Sequence, residues 1–210
     1  MRRRTFLLSA GAGSAVILAG CSGDDSDPDF RESFEDGLGD WETTAAIGPE
    51  VNIEDFEWSI EVWDEEAADG DRSLRITNEG DYDDGTTWAV HTLPIEPGER
   101  YEPTVRAQFW SQSESFNTLR NAVMYLGPER PEREGDFPDP GVNTTQLGET
   151  AYGGLREPLH LAEGWREYSF TWTTPTLSVD TLYLALGTTV VWETAATHYV
   201  DDVRVDLDPQ

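Results

Sequence analysis

Arg106, Gln108 and Trp110 stand at i, i+2 and i+4 in the run 100–111, whose odd positions Tyr101, Pro103, Val105, Ala107 and Phe109 are apolar. Successive side chains of an extended strand leave opposite faces, so these three share the face turned away from the core. A guanidinium, a carboxamide and an indole in one row suit a ligand that offers both hydroxyls and apolar C–H faces. The planar polar groups hydrogen-bond and the ring stacks. Tyr183 alternates with Leu182, Leu184 and Leu186 and also faces outward, while Trp88 supplies a third candidate ring in the run 86–93. A large aromatic on an outward sheet face needs a cover, either a ligand or another part of the chain. For each ring the competing reading is ordinary packing.

Other chemistries find less support. His91, His160 and His198 lack metal-ligand spacing, and no G-x-S-x-G, H-E-x-x-H or phosphate-binding loop occurs. A glycosidase needs two facing carboxylates, and nothing singles out a pair among 42 acidic residues. One cysteine excludes a disulfide framework and any multi-cysteine metal centre. A formal charge of −28 makes nucleic acid a poor partner, because phosphate binding needs a basic footprint. All 14 basic residues are arginine and lysine is absent. Such a surface fits a protein kept hydrated and dispersed in concentrated salt, as in a haloarchaeon, with an ordinary acidic secreted protein as the alternative.

The N-terminus reads as an address. Arg2-Arg3-Arg4 precedes Thr5-Phe6-Leu7-Leu8 and an apolar, small-residue stretch ending at Leu18, too short to span a bilayer. Arg3-Arg4-Thr5-Phe6-Leu7 resembles a twin-arginine export signal. Leu18-Ala19-Gly20-Cys21 resembles a lipobox, with Cys21 as the lipid acceptor. The expected organisation is a signal peptide over 1–20, an acidic tether over 21–29 and one domain over 30–208. That places the domain on the outer face of the cell membrane, held only through a lipid.

Beyond residue 30 the chain alternates short β-rich runs with turn clusters. Period-two patterns occur at 58–62, 73–77, 86–93, 100–111, 118–126, 165–173, 181–191 and 197–207. Asp69-Gly70-Asp71, Glu96-Pro97-Gly98 and Thr174-Pro175 supply turn chemistry between them. No sustained helical period appears, so the expected class is all-β: an antiparallel β-sandwich of jelly-roll type, and a monomer. The stretch 127–158, with five prolines and six glycines, is expected to be a long functional loop. It carries Asn143-Thr144-Thr145, a candidate glycosylation sequon at Asn143.

Five segments carry a family resemblance. Phe34-Glu35-Asp36-Gly37 followed by Trp41, Ser73-Leu74-Arg75-Ile76, Pro97-Gly98 with Tyr101, Gly164-Trp165 with Tyr168 and Phe170, and Tyr199-Val200-Asp201-Asp202-Val203 occur in order. Together they resemble carbohydrate-binding modules with the galactose-binding-like jelly roll, closest in pattern to families four, nine and twenty-two. The resemblance implies non-catalytic polysaccharide or glycan binding, with Arg106, Gln108, Trp110 and Tyr183 lining one concave groove and Trp88 as a further candidate platform. Trp41 and Trp165 coincide with framework positions. It further implies a structural Ca2+ between the first and last strands, held by Glu35 and Asp201 with groups near Asp71. Asp201 shares the parity of Tyr199, Val203 and Val205 and is expected to point inward. The alternative is a structural or adhesive envelope module without a sugar site, and a glycan-active enzyme is the third reading.

Overall fold

A computed structural model describes residues 27–47, 56–79, 85–112, 120–159, 164–190 and 195–210. The signal segment, Cys21 and His160 lie outside them. The described strands are β1 Phe30–Glu32, β2 Glu42–Ala46, β3 Trp58–Trp63, β4 Ser73–Asn78, β5 Gly85–Pro94 and β6 Thr104–Ser111. They continue as β7 Arg120–Gly127, β8 Gly153–Pro158, β9 Arg166–Thr171, β10 Thr181–Val190 and β11 Ala196–Asp206. All pairings are antiparallel. One sheet runs β3-β4-β11-β6-β9 with β1 added on β11; the other runs β2-β5-β10-β7-β8. This is the expected all-β sandwich.

The inner faces follow the alternation. Leu74, Ile76, Val105, Ala107, Phe109, Val200, Val203 and Val205 from the first sheet meet Ala122, Met124, Leu126, Leu182, Leu184 and Leu186 from the second, all fully buried. At about 25 cal/mol per Å2 of apolar surface removed from water, these layers are the main stabilising term. The second sheet is also buried on its outer face. Trp88, Val90, Val123, Tyr125 and Ala185 form a separate cluster there, closed by Phe137 from the β7–β8 connection. Opposite Trp88 in the ladder stands Gly187, where a Cβ would lie 2.6 Å from the Trp88 backbone, so only glycine lets the two strands meet there.

The 127–158 stretch is therefore not a bare loop. β8 occupies its C-terminal end and pairs with β7, while two 3-10 turns, Glu134–Asp136 and Thr144–Gln146, order the middle. The short strands β1, β2 and β8 escaped the alternation pattern. β11 also departs from it. The register shifts between Asp201 and Arg204, where Asp202 adopts φ 45°, so the parity reverses across the bulge. Tyr199 and Asp201 consequently face outward, contrary to the inward placement expected for Asp201, whereas Val203 and Val205 face the core.

At one end of the sandwich β11 also turns His198 inward, where it is fully buried and neither ring nitrogen has a hydrogen-bond partner among the described residues. Burial, reinforced by the nearby Arg120 charge, pushes its pKa down to about 3. A histidine depressed in the folded state binds its proton preferentially in the unfolded chain. Its contribution to stability is therefore intact above the ordinary value of 6.5 and is lost as pH falls from there toward 3. The wild type is expected to lose on the order of 3 kcal/mol more than His198→Leu between pH 7 and pH 4 at constant salt. Urea unfolding of both proteins at the two pH values measures the difference; parallel losses would reject this account.

Candidate functional site

The structure divides the residues expected to form one groove. Arg106, Gln108 and Trp110 do share the outward face of β6 in the first sheet, while Tyr183 lies on the outer face of β10 in the second. The two faces point away from each other, so the single groove is overturned. Alternation reveals which face a side chain takes within a strand, not which sheet the strand joins. Trp88 is also corrected: it is fully buried, with Phe137 edge-on at 5.2 Å between centroids, and offers no stacking surface.

Around Tyr183 a different set assembles. Tyr125 reaches outward from β7 and donates its hydroxyl to the Glu129 carbonyl at 2.6 Å, which starts the β7–β8 connection across the sheet. Arg130 then pairs with Glu42 of β2 at 2.7 Å, and the buried Arg156 of β8 holds Glu134 at 2.6 Å. Asp136 accepts from the Glu132 and Arg133 amides at 2.9 and 3.1 Å. Between this strap and the sheet lies a cavity of about 540 Å3, lined by Tyr125, Tyr152, Tyr183, Arg130, Arg133 and Asp136 among others. The Tyr125 and Tyr152 rings are 5.1 Å apart. Burial pushes both phenols up, and for Tyr152 Asp139 and Asp136 add to the effect, so both hydroxyls stay protonated donors at neutral pH.

The described histidines do not join the cavity. His91 packs against Phe30 and Trp41 at 4.7 and 5.1 Å, and burial pushes its pKa down although Asp40 and Glu32 pull it up. His198 lies in the core.

The acids expected to hold calcium are satisfied by backbone amides. Asp201 Oδ2 accepts from Ala68 and Asp69 at 2.7 and 2.9 Å, and Oδ1 accepts from Asp202 at 2.7 Å. Glu35 Oε1 accepts from the amides of Asp71 and Arg72, both at 2.8 Å. The Asp71 side chain itself is exposed. Arg31 bridges Asp69 and Asp202 at 2.9 and 3.5 Å, so a guanidinium already supplies positive charge between these loops. Calcium requires six to eight oxygens, whereas here N–H groups converge on the carboxylates, and no three acids or histidines gather to hold a metal among the described residues. The donor set does not fit the ion. Burial outweighs the three amide bonds and, with Asp202 adding to it, pushes Asp201 up to about 6.

Asn143 is similarly occupied. Its Nδ2 donates to Glu157 Oε1 at 2.8 Å and to the Ser169 carbonyl at 3.0 Å, and its Oδ1 caps Thr145 N at 3.0 Å. Both hydrogens of the atom that would carry a glycan are thus engaged in the folded protein.

No protein-family model matches the chain, and no curated protein matches it. Solved structures do. A carbohydrate-binding module of the β-sandwich superfamily, described for promiscuous specificity, aligns at 18% identity and a TM-score of 0.53. The match covers 87% of this chain and 63% of that one, so this chain spans less than two thirds of its length. A family 61 carbohydrate-binding module solved with β-1,4-galactotriose aligns at 8% identity and a TM-score of 0.50, over 82% of this chain and 92% of that one. The likeness establishes a shared β-sandwich fold.

Because amides rather than a cation hold Asp201, chelation at constant ionic strength is expected to leave Tm unchanged. Asp201→Ala orphans three amides and is expected to cost on the order of 3 kcal/mol. Calorimetry with and without chelator checks both; a chelator-dependent fall in the wild-type Tm would reject the arrangement.

Proposed function

We propose that the chain is a non-catalytic glycan-binding module whose site is the tyrosine-lined cavity between the β7–β8 strap and the β7/β10 face. The observation that carries this reading is the convergence of the half-exposed Tyr152 and Tyr183 with Arg130, Arg133 and Asp136 around one cavity. A sugar ring has apolar faces that stack on phenols and an equatorial rim of hydroxyls that planar polar groups bind. The fold shared with carbohydrate-binding modules, one of them solved with a β-1,4-linked galactotriose, supports this ligand class. Strands and a pinned strap suit binding that reuses the same surface without turnover. The twin-arginine-like segment Arg3-Arg4-Thr5-Phe6-Leu7 and the lipobox-like Leu18-Ala19-Gly20-Cys21 support a location for such a module on the outer face of the membrane, tethered through Cys21.

Removing a ring that a ligand covers typically costs on the order of 1–3 kcal/mol, by analogy with base stacking. Tyr183→Ala and Tyr152→Ala are each expected to weaken retention on galactan, xylan or β-glucan affinity gels in high salt by ten-fold or more, with Tm within a few degrees of wild type. Unchanged retention would favour a structural or adhesive module. Mass spectrometry of the mature N-terminus is expected to find a lipid-modified Cys21; an intact Met1 or cleavage downstream of Cys21 would refute the anchor.

A further inference from the structure

The outer face of the first sheet, on the opposite side of the molecule, carries a second aromatic arrangement. Register places Glu61 of β3, Arg75 of β4, Tyr199 of β11 and Trp110 of β6 side by side in one cross-strand row. Trp165, just before β9, extends that row, its ring 6.0 Å from Trp110. At roughly 4.8 Å between strands the five positions make a rung about 19 Å long. Tyr199 is 2% exposed and stacks on Trp110 at 5.3 Å and 24°, which fixes the plane of that indole. Arg75 lies over Trp63 with its Cζ 3.4 Å from the ring centroid. Packing accounts for Tyr199. It does not account for Trp63, Trp110 and Trp165, which are half-buried and keep surface toward solvent.

We propose that this rung is a second glycan-binding surface, taking an uncharged oligosaccharide chain laid across the strands, so that one molecule can bridge two polysaccharide chains. Charge argues for the occupant. In a chain of formal charge −28, the arginines of this face are matched by neighbouring acids: Arg75 with Glu61, Arg106 with Asp206 at 2.5 Å, and Arg204 with Asp202 at 2.6 Å. The pairs leave hydrogen-bonding groups beside the rings, and the exposed Glu167, opposite Gln108 in the register, adds a carboxylate acceptor. Arginines already held by acids, beside a further carboxylate, disfavour an anion, while hydrogen-bonding groups beside flat rings complement a neutral, hydroxyl-rich ligand. Gln108, next to Trp110 on the same face, adds a carboxamide free of charge.

The inference rests on the glycan-binding reading, and stoichiometry separates the two. Titration calorimetry in high salt with xylohexaose, cellohexaose and β-1,4-galactotriose should give two equivalents per chain for at least one probe. Tyr183→Ala should leave one equivalent, and Trp110→Ala should leave the other. Trp165→Ala serves as the second variant if Trp110→Ala does not fold. The wild type should also cross-link the corresponding polysaccharide, seen as turbidity that either substitution abolishes. One equivalent that Tyr183→Ala removes and the tryptophan variants leave intact overturns the second surface while the cavity stands. One equivalent that only the tryptophan variants remove overturns the bridging and moves the site to the first sheet. No heat with any probe overturns both readings.

Discussion

A sheet that is apolar on both faces cannot be left half-covered, and this constraint shapes most of the molecule. β5, β7 and β10 turn Trp88, Val90, Val123, Tyr125 and Ala185 away from the core. Left in water, fully apolar side chains of this size would each forfeit roughly 1.5–3 kcal/mol. The β7–β8 connection supplies the cover by laying Phe137 across Trp88 and Tyr125. A segment rich in proline and glycine can follow such a surface because it needs little regular hydrogen bonding of its own. It is pinned instead at separate points, at Glu42, Arg156 and the Tyr125 hydroxyl. The strap covers the inner part of the face and stops short of Tyr183. The cavity is therefore a consequence of incomplete coverage at the edge of an otherwise buried layer.

The closing strand answers a second demand. β11 pairs with β1, β4 and β6, so its backbone must serve two different stretches along one edge. The bulge at Asp201 and Asp202 absorbs the mismatch, and Asp201, still in the outward parity of Tyr199, sets its carboxylate under the loop that carries Ala68 and Asp69. A buried carboxylate without partners would be expensive; three amide donors offset that penalty and fix the loop between β3 and β4. The segments expected to hold calcium thus keep Glu35 and Asp201, but backbone amides occupy those carboxylates, and Arg31 pairs with the neighbouring Asp69 and Asp202.

Where one face of a strand was polar, the sequence was readable. Thr104 to Ser111 alternates cleanly, and its outward Arg106, Gln108 and Trp110 lie where parity puts them. β7 is buried at every position, so alternation could not mark Tyr125 as outward. Tyr152 sits in the connection and had no periodic signal at all. β1 and β2 are too short or too threonine-rich to show a pattern, and β8 begins with two glycines. Trp88 lies on the outer face of β5 yet is covered, because coverage depends on a segment about 50 residues away whose path no local pattern encodes. Asp201 failed for a related reason: one bulge inverts every face beyond it.

If the acidic, lysine-free chain works in concentrated salt, the glycan recognition proposed for it acts where charge is weak. In the concentrated salt that a lysine-free, strongly acidic composition fits, the screening length falls to about 3 Å at 1 M. Ion pairs such as Arg106–Asp206, with both side chains partly exposed, then hold side-chain positions more than they attract a ligand. Salting-out ions strengthen apolar burial under the same conditions. Rings therefore become the side chains whose contribution survives, and a polar group contributes mainly through short hydrogen bonds inside a contact that a ring has already dried. Both outer faces combine these parts: Tyr152 and Tyr183 beside Arg130 and Asp136 on one, and Trp110 and Trp165 beside Gln108 and Arg75 on the other. On each of these proposed surfaces, the aromatic groups would supply the contact and the paired charges would set its shape.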